Sequence, residues 1–422
     1  MVIDSALNSQ HILCKKAMLH KKLSLTILLL LVSFATVSTI LFVPALPKIA
    51  NYFEVSADMA QLTISLFLLG YALGLLPYGS FADRFGRKPI LYFGLTFAVF
   101  GSILCILSGF SKIFWLFLGA RFVMALGACV GLKITFTLIG DYFQHRQAEA
   151  AKFTSSFPIA FAVAPGVAIF IGGFLTRYFD WISCFYFLGI YGIFLLILSF
   201  SLPETIGSKD LQALSFKSIK HHYLSVFKNP HVLLSSFILG CNTSIFYLFA
   251  ARSPFIGIEL IQLKPDQFGM LNLIPPLGLI IGAISSRKLL QQISPIGIIR
   301  LGSAILCSGI LIMGLCFILG YINIWTLFLP MAVILMGNSL IYGNSTAIAM
   351  SYAHNKSNAS AIMNFLNVGT GSIAIFISGF IFTESALAMP VFFAAFTLII
   401  MLLVIKLHRT MQTEPSDRKN HL

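Results

Sequence analysis

Charged residues are scarce in this chain of 422 residues, since Asp, Glu, Lys and Arg together make up only 10% of it. Hydrophobic residues make up 58%, and the mean hydropathy is +0.92. A water-soluble fold of this length could not keep so much apolar surface away from solvent. The composition therefore excludes a soluble globular protein, and it indicates that lipid is the solvent for most of the chain.

Acidic residues are rarer than basic ones, with 14 Asp and Glu against 28 Lys and Arg. All 14 lie between the long apolar runs or at their ends, and the histidines are placed in the same way. An enzyme acting inside the membrane needs a base, a nucleophile or a metal ligand there, and the apolar runs supply no Asp, Glu or His for it. No loop is long enough for the soluble domain typical of a signalling receptor. Both non-transporting classes are therefore disfavoured.

Cysteine is also sparse and shows no ligand spacing. The seven cysteines include no CxxC pair, and the nine histidines form no metal-ligand pattern. We expect no bound metal and no cofactor, and small apolar packing is the simpler role for the cysteines.

What the chain does have is a series of long apolar runs, each able to cross about 30 Å of hydrocarbon as a helix. The runs are continuous and do not alternate, which excludes a β-barrel. We predict an all-α membrane protein with twelve transmembrane helices. The predicted spans are 23–46, 59–81, 89–111, 113–140, 153–176, 182–202, 232–252, 268–286, 298–319, 324–346, 358–382 and 386–406.

The distribution of Lys and Arg predicts the orientation of these spans. Most of the 28 basic residues lie in the loops and tails on one side; Lys48, Lys112, Arg177 and Lys264 lie on the other. The basic side is expected to be the cytoplasm, so both termini of this multi-pass protein are predicted to be cytoplasmic. Basic loops facing anionic lipid also explain the net charge of +14 without nucleic acid.

The longest loop divides the chain. We predict an N-terminal six-helix bundle at 1–203, a cytoplasmic linker at 204–231, and a second six-helix bundle with its tail at 232–422. The linker could hold a short interfacial helix or be a solvated loop. A weak internal repeat supports the division, since Gly282–Lys288 after the eighth span has the spacing of the segment after the second.

That segment, between the second and third predicted spans, is short and charged. Its glycines and charged residues are Gly79, Asp83, Arg84, Gly86, Arg87 and Lys88. Gly79 permits close approach of two helices, and Gly86 permits a tight turn. Asp83 can either cap a helix N-terminus or accept hydrogen bonds from Arg87. Arg84 and Lys88 can reach lipid headgroups or Asp141, which follows the fourth span. Such contacts can exist in one arrangement of the helices and break in another, which favours a moving joint over a passive basic loop.

These residues resemble the motif between helices two and three of the major facilitator superfamily, and the chain is most similar to its Bcr/CflA-like drug-resistance branch. Further similar motifs are Pro44–Pro47, Arg121–Gly127, Asp141–Phe143, Leu202–Thr205 and Ser253–Phe255. The resemblance implies two six-helix bundles related by a pseudo-twofold axis, alternating access, drug efflux driven by an ion gradient such as that of H⁺, and a functional monomer. The resemblance, together with the charged segment, predicts a set of residues for conformational gating. They are Gly79, Asp83, Arg84, Gly86, Arg87, Lys88, Asp141, Pro165, Gly172 and Gly173.

Three cations lie inside predicted spans. Arg121 matches the family's arginine of the fourth helix, which the resemblance implies lines the central cavity. Lys133 could face the cavity or extend to the interface, and Arg252 could anchor the outer interface or contact a ligand. Candidate substrate-binding residues are Arg121, Thr36, Thr39, Asn242, Arg252, Asn338, Asn364 and Asn367, although some of the asparagines could simply join helices.

The missing acids bear on the substrate. Bcr/CflA-like sequences carry an Asp four positions before the proline motif of the first span, where this chain has Ile40. A cavity with buried cations and no acid favours an anionic or zwitterionic solute. Two substrate classes therefore remain open: amphipathic drugs or metabolites moved by efflux, and anions such as carboxylate metabolites or polycarboxylate siderophores, carried in or out without proton antiport through a membrane carboxylate.

Overall fold

A computed structural model describes residues 23–144, 146–154, 156–206, 210, 229–353, 356–380 and 385–413. Most of the predicted linker at 204–231 lies outside the described residues, so its interfacial helix remains a prediction. Regular secondary structure in the described ranges is helical throughout.

Twelve apolar helices are present, as the sequence predicts. Eleven are long enough to span a membrane, and the remaining one, α6, is an apolar helix of 17 residues. They are Leu25–Tyr52 (α1), Ala57–Phe85 (α2), Arg87–Ser111 (α3), Phe114–Tyr142 (α4), Phe157–Tyr178 (α5), Ser183–Ser199 (α6), Pro230–Leu260 (α7), Pro265–Leu289 (α8), Pro295–Ile318 (α9), Ile324–Ser351 (α10), Lys356–Ser378 (α11) and Ala388–Thr413 (α12). The fold class predicted from the sequence is confirmed.

Several of these helices are interrupted where proline or local sequence disrupts regular α-helical hydrogen bonding. The α-helical part of α1 ends at Ile40, and a 3₁₀ turn containing Pro44 leads into its last two turns. After Pro254, α7 continues as a π-helix to Leu260, which makes it longer than the predicted 232–252. A helix that passes through an altered turn keeps backbone carbonyls without intrahelical partners, and such groups are available to side chains.

The first six and the last six helices meet along two pairs. Helix α2 packs against α11, and α5 packs against α8. The second pair is close because glycines face backbone: an added Cβ on Gly173 would contact the Pro265 carbonyl of α8, and one on Gly269 would lie 3.0 Å from the Ile169 carbonyl of α5. These contacts join the two groups of helices at one end of the molecule.

Gly172 has a different neighbour from the adjacent Gly173. A Cβ on Gly172 would collide with the carbonyl of Leu41, at the interruption of α1 in the same group of helices. The two predicted gating glycines are therefore distinct in location: one supports the packing of α5 on α1, and the other contacts α8.

We expect Gly172→Ala to lower the melting temperature of the purified protein, because the new methyl group forces α5 away from α1 at a cost of about 1–3 kcal/mol. The matched control is Gly119→Ala in α4, where an added Cβ meets no atom within 4 Å. The thermal stability of the two variants in detergent checks this. A Gly172→Ala protein as stable as Gly119→Ala would contradict the packing argument.

Candidate functional site

Arg87 joins the ends of three helices. Its Nη1 donates to Asp83 Oδ1 at the end of α2 (2.5 Å), and its Nε donates to Asp141 Oδ2 at the end of α4 (2.9 Å). The Arg87 side chain is only 10% exposed, whereas Asp83 is 50% and Asp141 29% exposed, so the bond to Asp141 is the better sheltered of the two charge-assisted bonds. Arg87 itself lies in the first turn of α3, and it therefore fixes α2, α3 and α4 relative to one another.

Glu204 completes this arrangement from the segment after α6. Its carboxylate accepts hydrogen bonds from the backbone amides of Arg87 (3.0 Å) and Lys88 (2.9 Å), which satisfies donors at the start of α3 and favours its dipole. Thr205 Oγ1 donates to Asp141 Oδ2 at 3.0 Å. We call Asp83, Arg87, Asp141, Glu204 and Thr205 the ionic cluster, and the end of the molecule that holds it the cluster end.

The turn itself requires glycine at one position. Gly86 has φ +111°, and an added Cβ would lie 3.1 Å from a carboxylate oxygen of Glu204. A side chain there would strain the backbone and displace the carboxylate. The expected tight turn at Gly86 is thus present in the structure.

Arg84 and Lys88 do not contact Asp141. The Arg84 guanidinium lies over the Phe85 ring, 5.6 Å from its centroid, and Lys88 Nζ donates to the Phe200 carbonyl at 3.2 Å. Arg87 is the residue that reaches Asp141. Glu204 and Thr205 belong to the Leu202–Thr205 motif, but the sequence alone assigned them no role. An acid at the end of a span, in a chain with few acids, was the feature that could have singled out Glu204.

Arg121 is fully buried and is held by the interrupted α1. Its Nη1 donates to the Ser38 carbonyl (2.8 Å) and its Nη2 to the Thr39 carbonyl (3.2 Å), both close to the end of the α-helical part of α1. The guanidinium also lies between the rings of Phe42 and Phe67, 4.2 and 4.3 Å from their centroids. Helix-end carbonyls and aromatic faces together compensate the charge. In this conformation Arg121 has no exposed surface.

Two of the four predicted asparagines join different helices. Asn242 of α7 and Asn338 of α10 each donate from Nδ2 to the other's backbone carbonyl, at 3.1 and 2.8 Å. Asn367 of α11 is buried, and its Oδ1 has no hydrogen-bond partner among the described residues. Thr39 donates to a carbonyl one turn earlier in its own helix, and Thr36 is half-buried.

The two groups of helices are joined at the end opposite the ionic cluster. Ser65 of α2 and Ser372 of α11 exchange hydrogen bonds from Oγ to backbone carbonyl, both 2.8 Å long. Arg252 of α7 lies 3.9 Å from the Asp58 carboxylate of α2, and its Nη2 donates to the Ser378 carbonyl. Asp58, expected just outside the second span, thus lies in the first turn of α2 and is 14% exposed.

A second pair of opposite charges lies at the same end. Arg177 of α5 is 3.9 Å from Asp266 of α8. The first group of helices contributes an acid to one pair and a base to the other, so the two pairs have opposite polarity. Charge attraction therefore acts between α7 and α2 and between α5 and α8.

At the cluster end, α2 and α4 of the first group and α11 of the second leave a cavity of about 460 Å³. Lys133 and Thr137 of α4 and Gly79 of α2 line one wall, and Ser360 and Asn364 of α11 line the other. Asn364 Nδ2 donates to the Ser360 carbonyl at 2.9 Å. The cavity lies between the first and the last six helices. A second cavity, of about 540 Å³, lies at the opposite end between the start of α2 and the end of α11.

Tyrosines from both groups of helices also lie near one another. Tyr71 of α2 lies within electrostatic range of Tyr247 of α7 and Tyr342 of α10. An added Cβ on Gly371 of α11 would lie 3.4 Å from the Tyr247 ring, so α11 approaches the same place. Sequence reasoning did not single out these tyrosines, because nothing in the spacing of 13 tyrosines distinguishes them.

Among the described residues, twelve apolar helices in two groups of six, with a cavity between the groups, define a membrane transporter fold. The family description "Major Facilitator Superfamily" matches residues 28–375. The chain belongs to the major facilitator superfamily, a family of transporters rather than enzymes.

Individual relatives agree with this assignment. A match of 253 residues is 31% identical to an uncharacterized transporter of Rickettsia bellii and covers 59% of this chain and 60% of that protein. A bicyclomycin resistance protein homolog of Haemophilus influenzae is 26% identical over 313 residues, covering 74% and 77% of the two chains. This relative confirms the resemblance to the Bcr/CflA-like branch.

The fold also matches solved structures. The crystal structure of a D-xylose-proton symporter superposes with a TM-score of 0.75 over 91% of this chain and 96% of that one, at 13% identity. At this identity the similarity concerns the fold alone.

We expect Arg87→Gln to destabilise the protein by about 1–3 kcal/mol, because it removes two charge-assisted hydrogen bonds and leaves Asp83 and Asp141 as adjacent like charges. Arg84→Gln is the matched control and should have little effect, since Arg84 contacts only an exposed ring. Melting temperatures in detergent compare the two variants. Equal melting temperatures would show that the ionic cluster contributes no stability.

Proposed function

We propose that this protein is a secondary active transporter that moves a small organic solute across the bacterial cytoplasmic membrane by alternating access, as an efflux carrier for drugs or metabolites. The observation that carries the proposal is the difference between the two ends. At one end the two groups of helices are joined by Ser65–Ser372 and two ion pairs around the second cavity. At the other end they flank the cavity lined by Lys133 and Ser360. This arrangement is expected of a carrier in a conformation whose solute path is accessible from one side of the membrane.

The basic loops support an orientation for the cavity. Most Lys and Arg lie on the side of the membrane that also holds the ionic cluster. With that side in the cytoplasm, both termini are cytoplasmic and the cavity opens to the compartment from which an exporter takes its solute. The H. influenzae relative is described as a bicyclomycin resistance homolog, which also favours efflux.

The rocking motion follows from where the contacts lie. The ionic cluster belongs entirely to the first six helices and their following segment, so it holds the ends of α2, α3 and α4 as a unit. Closing the cavity brings α11 toward Gly79 of that unit. Opening the other end breaks the contacts of Asp58 and Asp266. The two arrangements differ in a small number of contacts, as a two-state carrier requires.

The same proposal includes an energy source and a functional unit of one chain. The carrier uses an ion gradient, that of H⁺ by resemblance, with no cofactor, and one chain forms the complete path for the solute in the lipid bilayer. Asp83 and Asp141 are the carboxylates that line the described cavity, and both contact Arg87. No free carboxylate is therefore available there for exchange of a proton and a cationic drug.

An anionic solute is the second candidate, and one observation favours it. The sequence argument for a positive cavity rested on Arg121, Lys133 and Arg252. Arg121 is compensated by carbonyls and rings, and Arg252 lies beside Asp58. Lys133 remains as a cation on the cavity wall, so the choice between the two solute classes depends on it.

Locking the closed end tests alternating access. Ser65 Oγ and Ser372 Oγ are 3.3 Å apart, close enough for a disulfide after substitution of both by cysteine in a chain whose native cysteines are replaced. We expect oxidation of this variant in proteoliposomes to abolish solute flux and reduction to restore it, because the end can then no longer open.

The matched control joins two helices of the same group. A Cβ on Gly189 of α6 would lie 3.8 Å from Ser102 Cβ of α3, which suits a disulfide. Oxidation of the Ser102→Cys, Gly189→Cys variant should leave flux unchanged. Undiminished flux through the oxidised Ser65→Cys, Ser372→Cys variant would refute transport by alternating opening of the two ends.

A further inference from the structure

Lys133 differs from the other cations of the membrane-spanning helices. Its ammonium group makes no hydrogen bond and no ion pair with any residue in the described ranges, whereas Arg121 and Arg252 both donate to backbone carbonyls. Asp83 attracts the ammonium and Arg87 repels it, and Asp83 is already bonded to Arg87. Lys133 is therefore a partly buried cation whose three donors are free to bind something else.

The position of Lys133 gives it access to the cavity. Its side chain lies over Gly79, with Cε 3.0 Å and Nζ 3.4 Å from the place where a Cβ would stand. A larger residue than glycine at position 79 would displace the side chain. The missing Cβ of Gly79 thus makes room for the Lys133 side chain on the cavity wall.

The facing wall supplies a second donor. Ser360 and Asn364 are one turn apart on α11 and share a face of that helix. Ser360 Oγ is 3.4 Å from Asn364 Nδ2, from which it can accept a hydrogen bond, so the hydroxyl hydrogen of Ser360 remains available to a bound group. An ammonium on one wall and a hydroxyl on the other suit an anion between them.

We propose that Lys133 and Ser360 form a subsite for the carboxylate of an organic acid at the mouth of the cavity. This inference rests on the proposed transport function and assigns its solute to the anionic class. Carboxylate binding also promotes closure. When α11 approaches Gly79, an unpaired ammonium would be removed from water unfavourably, and a bound carboxylate compensates that charge. Closure is thereby coupled to the presence of solute.

Binding of two probes that differ in one charge tests the subsite. The purified full-length protein, in nanodiscs of phosphatidylcholine, is titrated with dansylglycine, a carboxylate, and with dansylglycinamide, its uncharged analogue. We expect Lys133→Gln to weaken dansylglycine binding by at least about tenfold, and Lys133→Arg to retain it. Binding of the amide should be the same in all variants, which also shows that they are folded. Exposed Lys288→Gln is the matched control.

Equal affinity of wild type and Lys133→Gln for dansylglycine would overturn the subsite. A second outcome would also overturn the subsite: phosphatidylglycerol in the nanodisc displaces dansylglycine, and Lys133→Gln then binds dansylglycine as wild type does. Lys133 would in that case bind a lipid headgroup. Measuring transport of the two probes distinguishes failure of the subsite from failure of the proposed transport function. If Lys133→Gln transports both probes as wild type does, the subsite fails and the carrier function stands; if wild type transports no solute, the carrier function fails too.

Discussion

The structure depends on one constraint: positive side chains inside the membrane must be compensated although almost no acid is buried there. A guanidinium in the membrane needs compensation, and Arg121 obtains it from the Ser38 and Thr39 carbonyls of an interrupted helix and from two aromatic rings. Arg252 donates to the carbonyl at the end of α11 beside Asp58. Interrupted or ending helices provide the negative partner that the sequence lacks. Lys133 is the contrast, because no such partner is found for it in the described chain.

The asymmetry between the two ends follows from this distribution. At one end, opposite charges from the two groups of helices face each other in two pairs of reversed polarity, and glycines allow backbone to approach backbone. At the other end the charges are paired within the first six helices, around Arg87, and leave a cavity between the groups. Charge is thus used to join the groups at one end and to stiffen a single group at the other.

The sequence predicted the twelve helices, the charged turn and the pairing of Asp83 with Arg87, because these depend on local hydropathy and short spacing. It could not predict that Glu204, more than a hundred residues away, accepts from the start of α3. Nor could it show that Asn242 and Asn338 bond to each other's backbone, since that depends on the rotation of two helices. A positive cavity was expected from a count of buried cations, whereas the packing seals Arg121 and leaves that role to Lys133.

The most direct test of the account is a pair of distances in the same protein, measured between spin labels by double electron–electron resonance. One pair of labels at Gly140 and Ala361 spans the cavity, and a second at Leu62 and Phe380 spans the opposite end. On addition of a transported solute the account predicts that the first distance shortens while the second lengthens. Distances that both stay constant, or that change in the same direction, would contradict a carrier whose two ends open in alternation.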